Sequence, residues 1–423
     1  MKLDAAFIAQ LGDSPAPNKH LMQAKGVSFH SGRVKKGDAF FALAGEASHG
    51  IKFADDALAK GATFIVSDKP HPKGIVVNDP AQTLLKLGKW ARAELTCPII
   101  AITGSAGKTS TKSFVAALLD AQATEGNFNT PLALAKTLIA HRLSESDKPL
   151  VLELGIDHIG EMAILVNLVQ PTHSVLTSIG PSHLQGLGSI EQIAREKAVI
   201  FRTGAKAFIS TQAESFVKRH VKNYETYGLD PDSDTTGLLK EDERTLIYKD
   251  MTFSMPTIGK AMASNALAAL SLARHFNVPK YDLNKRFRKV KLESGRLEFK
   301  QHGNLTIIDD SYNSNPLSAS QSLALLKKQT APHIAILGDM LELGEASQMY
   351  HKELGKETKG IATYAIGREA IAILEHNPRA KHYLTVDAFL TQLPELSEGT
   401  VLVKASRGMK LERVVSALTG SSA

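Results

Sequence analysis

The sequence predicts an α/β protein of three domains, and two observations carry that prediction. The chain has 423 residues, too many for one ordinary domain and enough for two or three. Short apolar runs also alternate with helical patterns, which implies parallel sheets covered by helices on both faces. A first series of this kind is small and ends near residue 85, a second runs to about 295, and a third begins at Arg296. The expected domains are therefore a small N-terminal α/β domain at 1–85, a central parallel-sheet domain at 86–295, and a C-terminal Rossmann-like α/β domain at 296–423.

In the first domain, Val27-Ser-Phe-His30 and Asp38-Ala-Phe-Phe-Ala-Leu43 read as strands. Residues 53–59 read as a helix, and Thr63-Phe-Ile-Val66 and Ile75-Val-Val77 as further strands. The polar stretches 31–38 and 45–50 read on their glycine content as turns. Asp79 opens a helix to about Glu94 that carries the chain into the second domain.

The second domain is organised around Thr103-Gly-Ser-Ala-Gly-Lys-Thr-Ser110. The apolar Pro98-Ile-Ile-Ala-Ile102 before it reads as a buried strand, and a helical pattern follows from Lys108 to Leu119. A glycine turn between a strand and a helix N-terminus gathers backbone N–H groups and partial positive charge. Lys108 adds a full charge, and Thr109 offers a hydroxyl to Mg²⁺. That is a P-loop-type site for nucleotide phosphates, with Ile102 standing where the longer pattern has its first glycine. Further on, 148–154 reads as a buried strand ending in Glu153, 161–168 as a helix, and 174–179 as a strand leading into a Gly/Pro/Ser loop that holds His183. Ser189 opens a helix with Gln192 three residues on, running to Phe201. Residues 211–258 are less regular, and 261–276 is an Ala/Leu-rich helix.

In the third domain, 305–309, 333–337, 364–366 and 400–404 read as strands, with helices from Leu317, after Ser347 and at the end of the chain. Three polar loops follow strands here: 309–316, 338–344 and 404–410. In such a sheet ligands gather at the strand C-termini, so the three loops are expected to line one cleft.

Composition narrows the function class. With 43% apolar and 22% charged residues the chain is ordinary globular protein. Its net charge of +7 is scattered, and only 6% of residues are aromatic, which argues against nucleic acid. Cys97 is the only cysteine, which excludes an intrachain disulfide and a Cys-based zinc site. No apolar run approaches membrane-spanning length, and residues 1–7 lack the pattern of a signal peptide. The expectation is a cytoplasmic protein without membrane insertion.

Glu153 closes a run in which five of six positions are apolar, so its carboxylate needs a partner, and a metal that also touches phosphates would serve. His183 in a loop and Lys197 in mid-helix read on their own as a surface histidine and a solvated lysine. Asp309-Asp-Ser-Tyr-Asn-Ser-Asn-Pro316 crowds acids, a tyrosine and two asparagines at a strand end, which is unusual for a purely structural turn.

Taken in order, these stretches resemble the Mur ligases, ATP-dependent amide-forming enzymes of peptidoglycan precursor synthesis. The resemblance rests on 103–110, Glu153-Leu-Gly-Ile-Asp-His-Ile-Gly-Glu161, 178–189, Ser264-Asn-Ala-Leu-Ala-Ala269, Ser294-Gly-Arg296, 309–316, 338–344 and 404–409. It is strongest for the members that add D-alanyl-D-alanine to a UDP-linked muramoyl peptide. The resemblance implies that Ser31 and Arg33 recognise the UDP end. It implies that ATP and Mg²⁺ are bound through Thr103, Gly104, Ser105, Ala106, Gly107, Lys108, Thr109 and Ser110, with Glu153, His183 and a carbamylated Lys197 around the metal. Asn265 would lie beside adenine, and Arg296 and Asp310 would face the nucleotide. Asn127, Asn129, Asp157 and His158 would meet the muramoyl peptide, and Tyr312, Asn313, Asn315, Ser406 and Arg407 the incoming amine. The implied partners are these small molecules, without nucleic acid, and the implied state is a monomer.

The sequence departs from the family pattern in places. The asparagine loop Gly126-Asn-Phe-Asn-Thr-Pro131 is shorter than usual, Ser31-Gly-Arg33 and Ser48-His-Gly50 replace acidic variants, and Ala261-Met262 replaces a His-Asn pair. A related ligase acting on another acid or amine, and a nucleotide-binding switch without ligase activity, are the alternatives.

Overall fold

The computed structural model describes residues 2–15, 22–45 and 48–420; Glu46 and Ala47, in the 45–50 stretch read as a turn, lie outside them. The chain divides into two compact units. The first comprises Met1–Ala101, Ala121–Gly155 and Ala163–His173, and the second Ile102–Asp120, Ile156–Met162 and Ser174–Ala423.

In the first unit, four strands run parallel in the order Gly26–Ser28, Asp38–Phe41, Phe64–Ser67, Gly74–Val76. Phe40 and Ile65 pack with Ala54 and Ala57 of the helix Ala54–Ala59. The polar stretch 31–38 begins with a 3-10 turn at Ser31–Arg33, and a second, Gly50–Phe53, leads into that helix. Asp79 caps the helix Pro80–Ala93, its carboxylate accepting from the N–H groups of Ala81 (2.8 Å) and Gln82 (3.0 Å). This helix lies against Pro131–Leu143. Gly88 permits the approach, because a Cβ there would sit 2.6 Å from that of Ala135. The strand Leu150–Glu153 pairs in parallel with Gln122–Ala123.

In the second unit, the helix Lys108–Leu119 packs on the long helix Lys260–His275. The stretch that looked irregular resolves into the helix Thr211–Val217, the parallel strands Tyr224–Gly228 and Thr235–Thr236, and an antiparallel sheet of Leu238–Leu239, Thr245–Tyr248 and Met251–Ser254. Burial alternates along the last two strands, as it does where one face is covered and the other is wet.

A six-stranded sheet completes this unit in the order Glu298–His302, Asn304–Asp310, Glu398–Lys404, His333–Gly338, Ala362–Ile366, Lys381–Tyr383. Only its first strand is antiparallel. Ile307, Ile336, Val401 and Val403 of the central strands pack with Phe389 and Leu411 of the flanking segments. The strands that end at Asp310, Lys404 and Gly338 are neighbours, so their loops emerge side by side.

Candidate active site

The phosphate-type loop is shaped by two glycines. Gly104 and Gly107 have φ of +153° and +83°, conformations that side chains resist. A Cβ on Gly104 would lie 2.0 Å from Thr177 Oγ1, and one on Gly107 would lie 2.6 Å from Asn265 Oδ1. Residues 177–182 brace the loop. Ser105 N donates to Ser178 O (2.9 Å), Ala106 N to Ser178 Oγ (2.8 Å), and Ser105 Oγ to Gly180 O (2.8 Å). Two of the amides expected to face phosphate are thereby tied to the brace. Lys108 Nζ folds back on Gly104 O (2.7 Å), and Thr109 and Ser110 are buried in the first helical turn. Thr111 Oγ1 donates to Asn265 Oδ1 (3.1 Å), which sets Asn265 against the loop. Sequence reasoning gave Thr177, Ser178 and Ser182 no role of their own, although 178–189 was among the stretches that carried the family resemblance.

Lys197 departs most from its sequence reading. Ser189 Oγ accepts from Gln192 N (3.2 Å) and starts the helix Ile190–Ala198. Lys197 lies one turn after Ile193 and shares its buried side. It is 0% exposed, and its Nζ has no hydrogen-bond partner among the described residues. Burial, reinforced by the nearby charge of Lys108, drives its pKa well below the ordinary lysine value. The adjacent Glu196 accepts from Gly160 N (2.9 Å) and Met162 N (3.1 Å), tying this helix to the 157–162 turn. Within that turn Glu161 accepts from the N–H groups of Asp157 (2.7 Å) and His158 (3.0 Å). His158 is exposed, whereas Asp157 Oδ1 lies 2.9 Å from Nδ1 of His183. The same nitrogen is 2.6 Å from Glu342 Oε2. Burial alone would lower the His183 pKa, but the two carboxylates outweigh it and raise the value. His183 in turn holds the Asp157 carboxyl below its usual range.

The three loops of the six-stranded sheet are bonded to one another. Lys404 Nζ donates to Asp310 Oδ2 (2.5 Å) and Asn313 O (3.0 Å), Arg407 N to Asn313 Oδ1 (3.2 Å), and Ser406 Oγ to Ser314 O (3.2 Å). Leu341 N donates to Ser406 Oγ (2.9 Å). Asp310 also accepts from Leu297 N (3.1 Å) and Ser322 Oγ (2.7 Å), so its carboxylate is turned inward as a brace. The Tyr312 ring has the guanidinium of Arg296 at 4.1 Å and that of Arg407 at 5.2 Å. Asn315 caps the helix Pro316–Leu326, and its Nδ2 donates to Ser105 O (3.0 Å), which links this sheet to the phosphate-type loop.

The remaining candidates belong to the first unit. Arg33 is exposed on its 3-10 turn, with its guanidinium 4.6 Å from the centre of the Phe128 ring. Ser31 interacts with the Asp56 carboxyl. Asn127 is exposed, while Asn129 packs on Gly155, where a Cβ would lie 2.3 Å from its Nδ2. Glu153 ends the strand Leu150–Glu153 and is 2% exposed.

The sequence matches three family descriptions: "Mur ligase family, catalytic domain" over residues 23–86, "Mur ligase middle domain" over 102–273, and "Mur ligase, glutamate ligase domain" over 295–408. It is 32% identical to the UDP-N-acetylmuramoyl-tripeptide–D-alanyl-D-alanine ligase of Bacillus subtilis, covering 94% of this chain and 93% of that protein. The crystal structure of MurF from Acinetobacter baumannii matches with a TM-score of 0.83 at 26% identity, covering 100% of this chain and 99% of that one. The MurF ligase of Thermotoga maritima in complex with ADP matches with a TM-score of 0.78 at 26% identity, covering 93% and 97%. Such likeness along the whole length and in domain order has one consequence: the chain belongs to the Mur ligase family.

Proposed function

We propose that this chain is the ATP-dependent ligase that adds D-alanyl-D-alanine to UDP-N-acetylmuramoyl-tripeptide in peptidoglycan precursor synthesis. The observation that carries this reading is the full-length likeness to ligases with that named reaction. The substrate carboxylate attacks the γ-phosphate of ATP, the bond to the β-phosphate oxygen breaks, and ADP leaves behind an acyl phosphate. Lys108, at the N-terminus of its helix, offsets the charge that develops on the phosphoryl group in flight. The neutral amine of the dipeptide then attacks the acyl carbon, loses a proton, and phosphate departs as the amide forms. Arg296, Tyr312 and Arg407, stacked together, and Asn313 and Ser406 beside them are our candidates for holding nucleotide and amine. Arg33, Ser31, Asn127 and Asn129 are the candidates for the UDP-peptide.

The donor groups suit Mg²⁺, which prefers oxygen. Within the second unit Thr109 supplies a buried oxygen and His183 a ring nitrogen, and in the first unit Glu153 is by itself a buried carboxylate candidate. Lys197, whose pKa burial drives well below the ordinary lysine value and whose Nζ has no hydrogen-bond partner among the described residues, can take up CO₂ in its neutral form with loss of a proton and become a carbamate with two more oxygens. When bound, the metal neutralises phosphate charge. A cytoplasmic site of action follows from the need for ATP, and no helix among the described residues is long and apolar enough to cross a membrane.

The test is phosphate release by purified protein supplied with ATP, Mg²⁺, UDP-muramoyl-tripeptide and D-alanyl-D-alanine. One phosphate per amide is expected, and omission of either the acid or the amine should stop it. No release with the full set overturns the reading. Release only with a different acid or amine from a panel reassigns the substrate within the family.

A further inference from the structure

The His183 ring is held by a residue that its own part of the chain does not supply. Glu342 comes from the loop between the strand His333–Gly338 and the helix Ser347–Glu357. Its Oε2 lies 2.6 Å from His183 Nδ1. The main chain anchors it a second time, since Gln185 N donates to Glu342 O at 3.0 Å. Two features of the loop serve this placement. Glu342 has φ of +65°, a left-handed conformation uncommon outside glycine. Gly344, two residues on, comes so close that a Cβ would be 3.3 Å from Gln185 Cα. Side chain and backbone together fix the register of the loop on residues 183–185. Asp157 approaches the same nitrogen at 2.9 Å.

We propose that Glu342 is a positioning residue for His183. Its carboxylate pairs by charge with Nδ1 at ion-pair distance, outside hydrogen-bond geometry among the described residues, and so favours the ring orientation that leaves Nε2 for the metal, so that a C-terminal loop helps to make the metal site competent. The inference rests on His183 being a metal ligand, as in the proposed mechanism. A carboxylate on the far nitrogen of a ligating histidine fixes its tautomer and orientation and raises its basicity. It also gives the metal site a dependence on how the C-terminal loop is seated, beyond any contact that loop makes with substrate.

Binding of Mn²⁺ to the full-length protein with ADP, followed by electron paramagnetic resonance, tests this without turnover. Glu342→Gln removes the charge and keeps the shape at an exposed position. It should weaken Mn²⁺ binding by roughly 10- to 100-fold while leaving metal-free ADP binding and the melting temperature unchanged. His183→Ala should lose at least as much, and the double variant should lose no more than His183→Ala alone. Glu342→Gln with wild-type Mn²⁺ affinity overturns the proposal. So does an additive loss in the double variant, which would make Glu342 a ligand in its own right, or a parallel loss of metal-free ADP binding and melting temperature, which would make its role structural. A His183→Ala variant with unchanged Mn²⁺ affinity removes the underlying ligand assignment instead, and the inference with it.

Discussion

An ammonium group with no partner is costly to bury, and a lysine meets that cost by giving up its proton. Lys197 is 0% exposed, its Nζ lacks a hydrogen-bond partner among the described residues, and Lys108 adds repulsion. A neutral amine is also the form that reacts with CO₂. Lys197→Ala should abolish nearly all phosphate release and recover part of it when short carboxylates are added to replace the carbamate. Wild-type protein in ¹³C-bicarbonate should show a carbamate resonance that the variant lacks, and full unrescued activity of the variant would disprove the role. At this scale the sequence supplied the residue and its helical phase, with Ile193 one turn away. It did not supply the burial, because helical phase alone does not reveal what covers a face. The opposite holds for Asp310: the family resemblance implied that it faces the nucleotide, whereas Lys404, Leu297 and Ser322 occupy its carboxylate.

Elements balance local preference against packing, and the helix Pro80–Ala93 shows which wins. Replacing Gly88 by alanine gains about 1 kcal/mol of helix propensity. Its Cβ would meet Ala135 Cβ at 2.6 Å and Ala135 Cα at 2.8 Å, an overpacking that costs about 1–3 kcal/mol. Because one of those atoms is backbone, the clash should prevail. Gly88→Ala is expected to lower unfolding free energy by about 1 kcal/mol in denaturant titration; a stabilised variant would show that the helices can part.

The neighbouring helix Pro131–Leu143 carries a pH-dependent element. His141 Nδ1 is 2.7 Å from Gln122 Oε1 and its Nε2 3.3 Å from Cys97 Sγ, and burial lowers its pKa from the ordinary 6.5. A depressed folded-state pKa contributes stability that is full above the unfolded value and lost as pH falls through the folded one. The wild type should therefore lose stability as pH drops below about 6.5, and His141→Gln should flatten that part of the profile. A profile of unchanged slope in the variant would refute this. The elements themselves were largely legible: 108–119 reads as a helix from pattern alone and is one. The brace from Thr177 and Ser178 was not, because short polar side chains carry no periodicity.

Across the whole second unit, the chemistry depends on bonds between segments far apart in sequence. Asn315 is the clearest case, with Oδ1 accepting from Ser318 N (2.9 Å) and Nδ2 donating to Ser105 O (3.0 Å). Asn315→Asp keeps the helix cap, since aspartate is as good an N-cap residue, but sets a carboxylate oxygen against the Ser105 carbonyl. The variant should keep its melting temperature while ATP-dependent phosphate release falls by about tenfold or more, the equivalent of one lost hydrogen bond of about 1.4 kcal/mol. An unchanged rate would show that this link is dispensable. The sequence by itself determined the α/β class, the strand–loop–helix at 103–110, and the polar loops at strand ends, because these follow from period, glycine and proline within a short window. Only the tertiary structure decided that Lys197 is buried with no hydrogen-bond partner among the described residues, that Asp310 faces inward, and that Glu342 reaches His183. Those outcomes depend on desolvation and on approaches of a few ångströms between residues as far apart in sequence as Asp310 and Lys404 or His183 and Glu342, which no local pattern encodes.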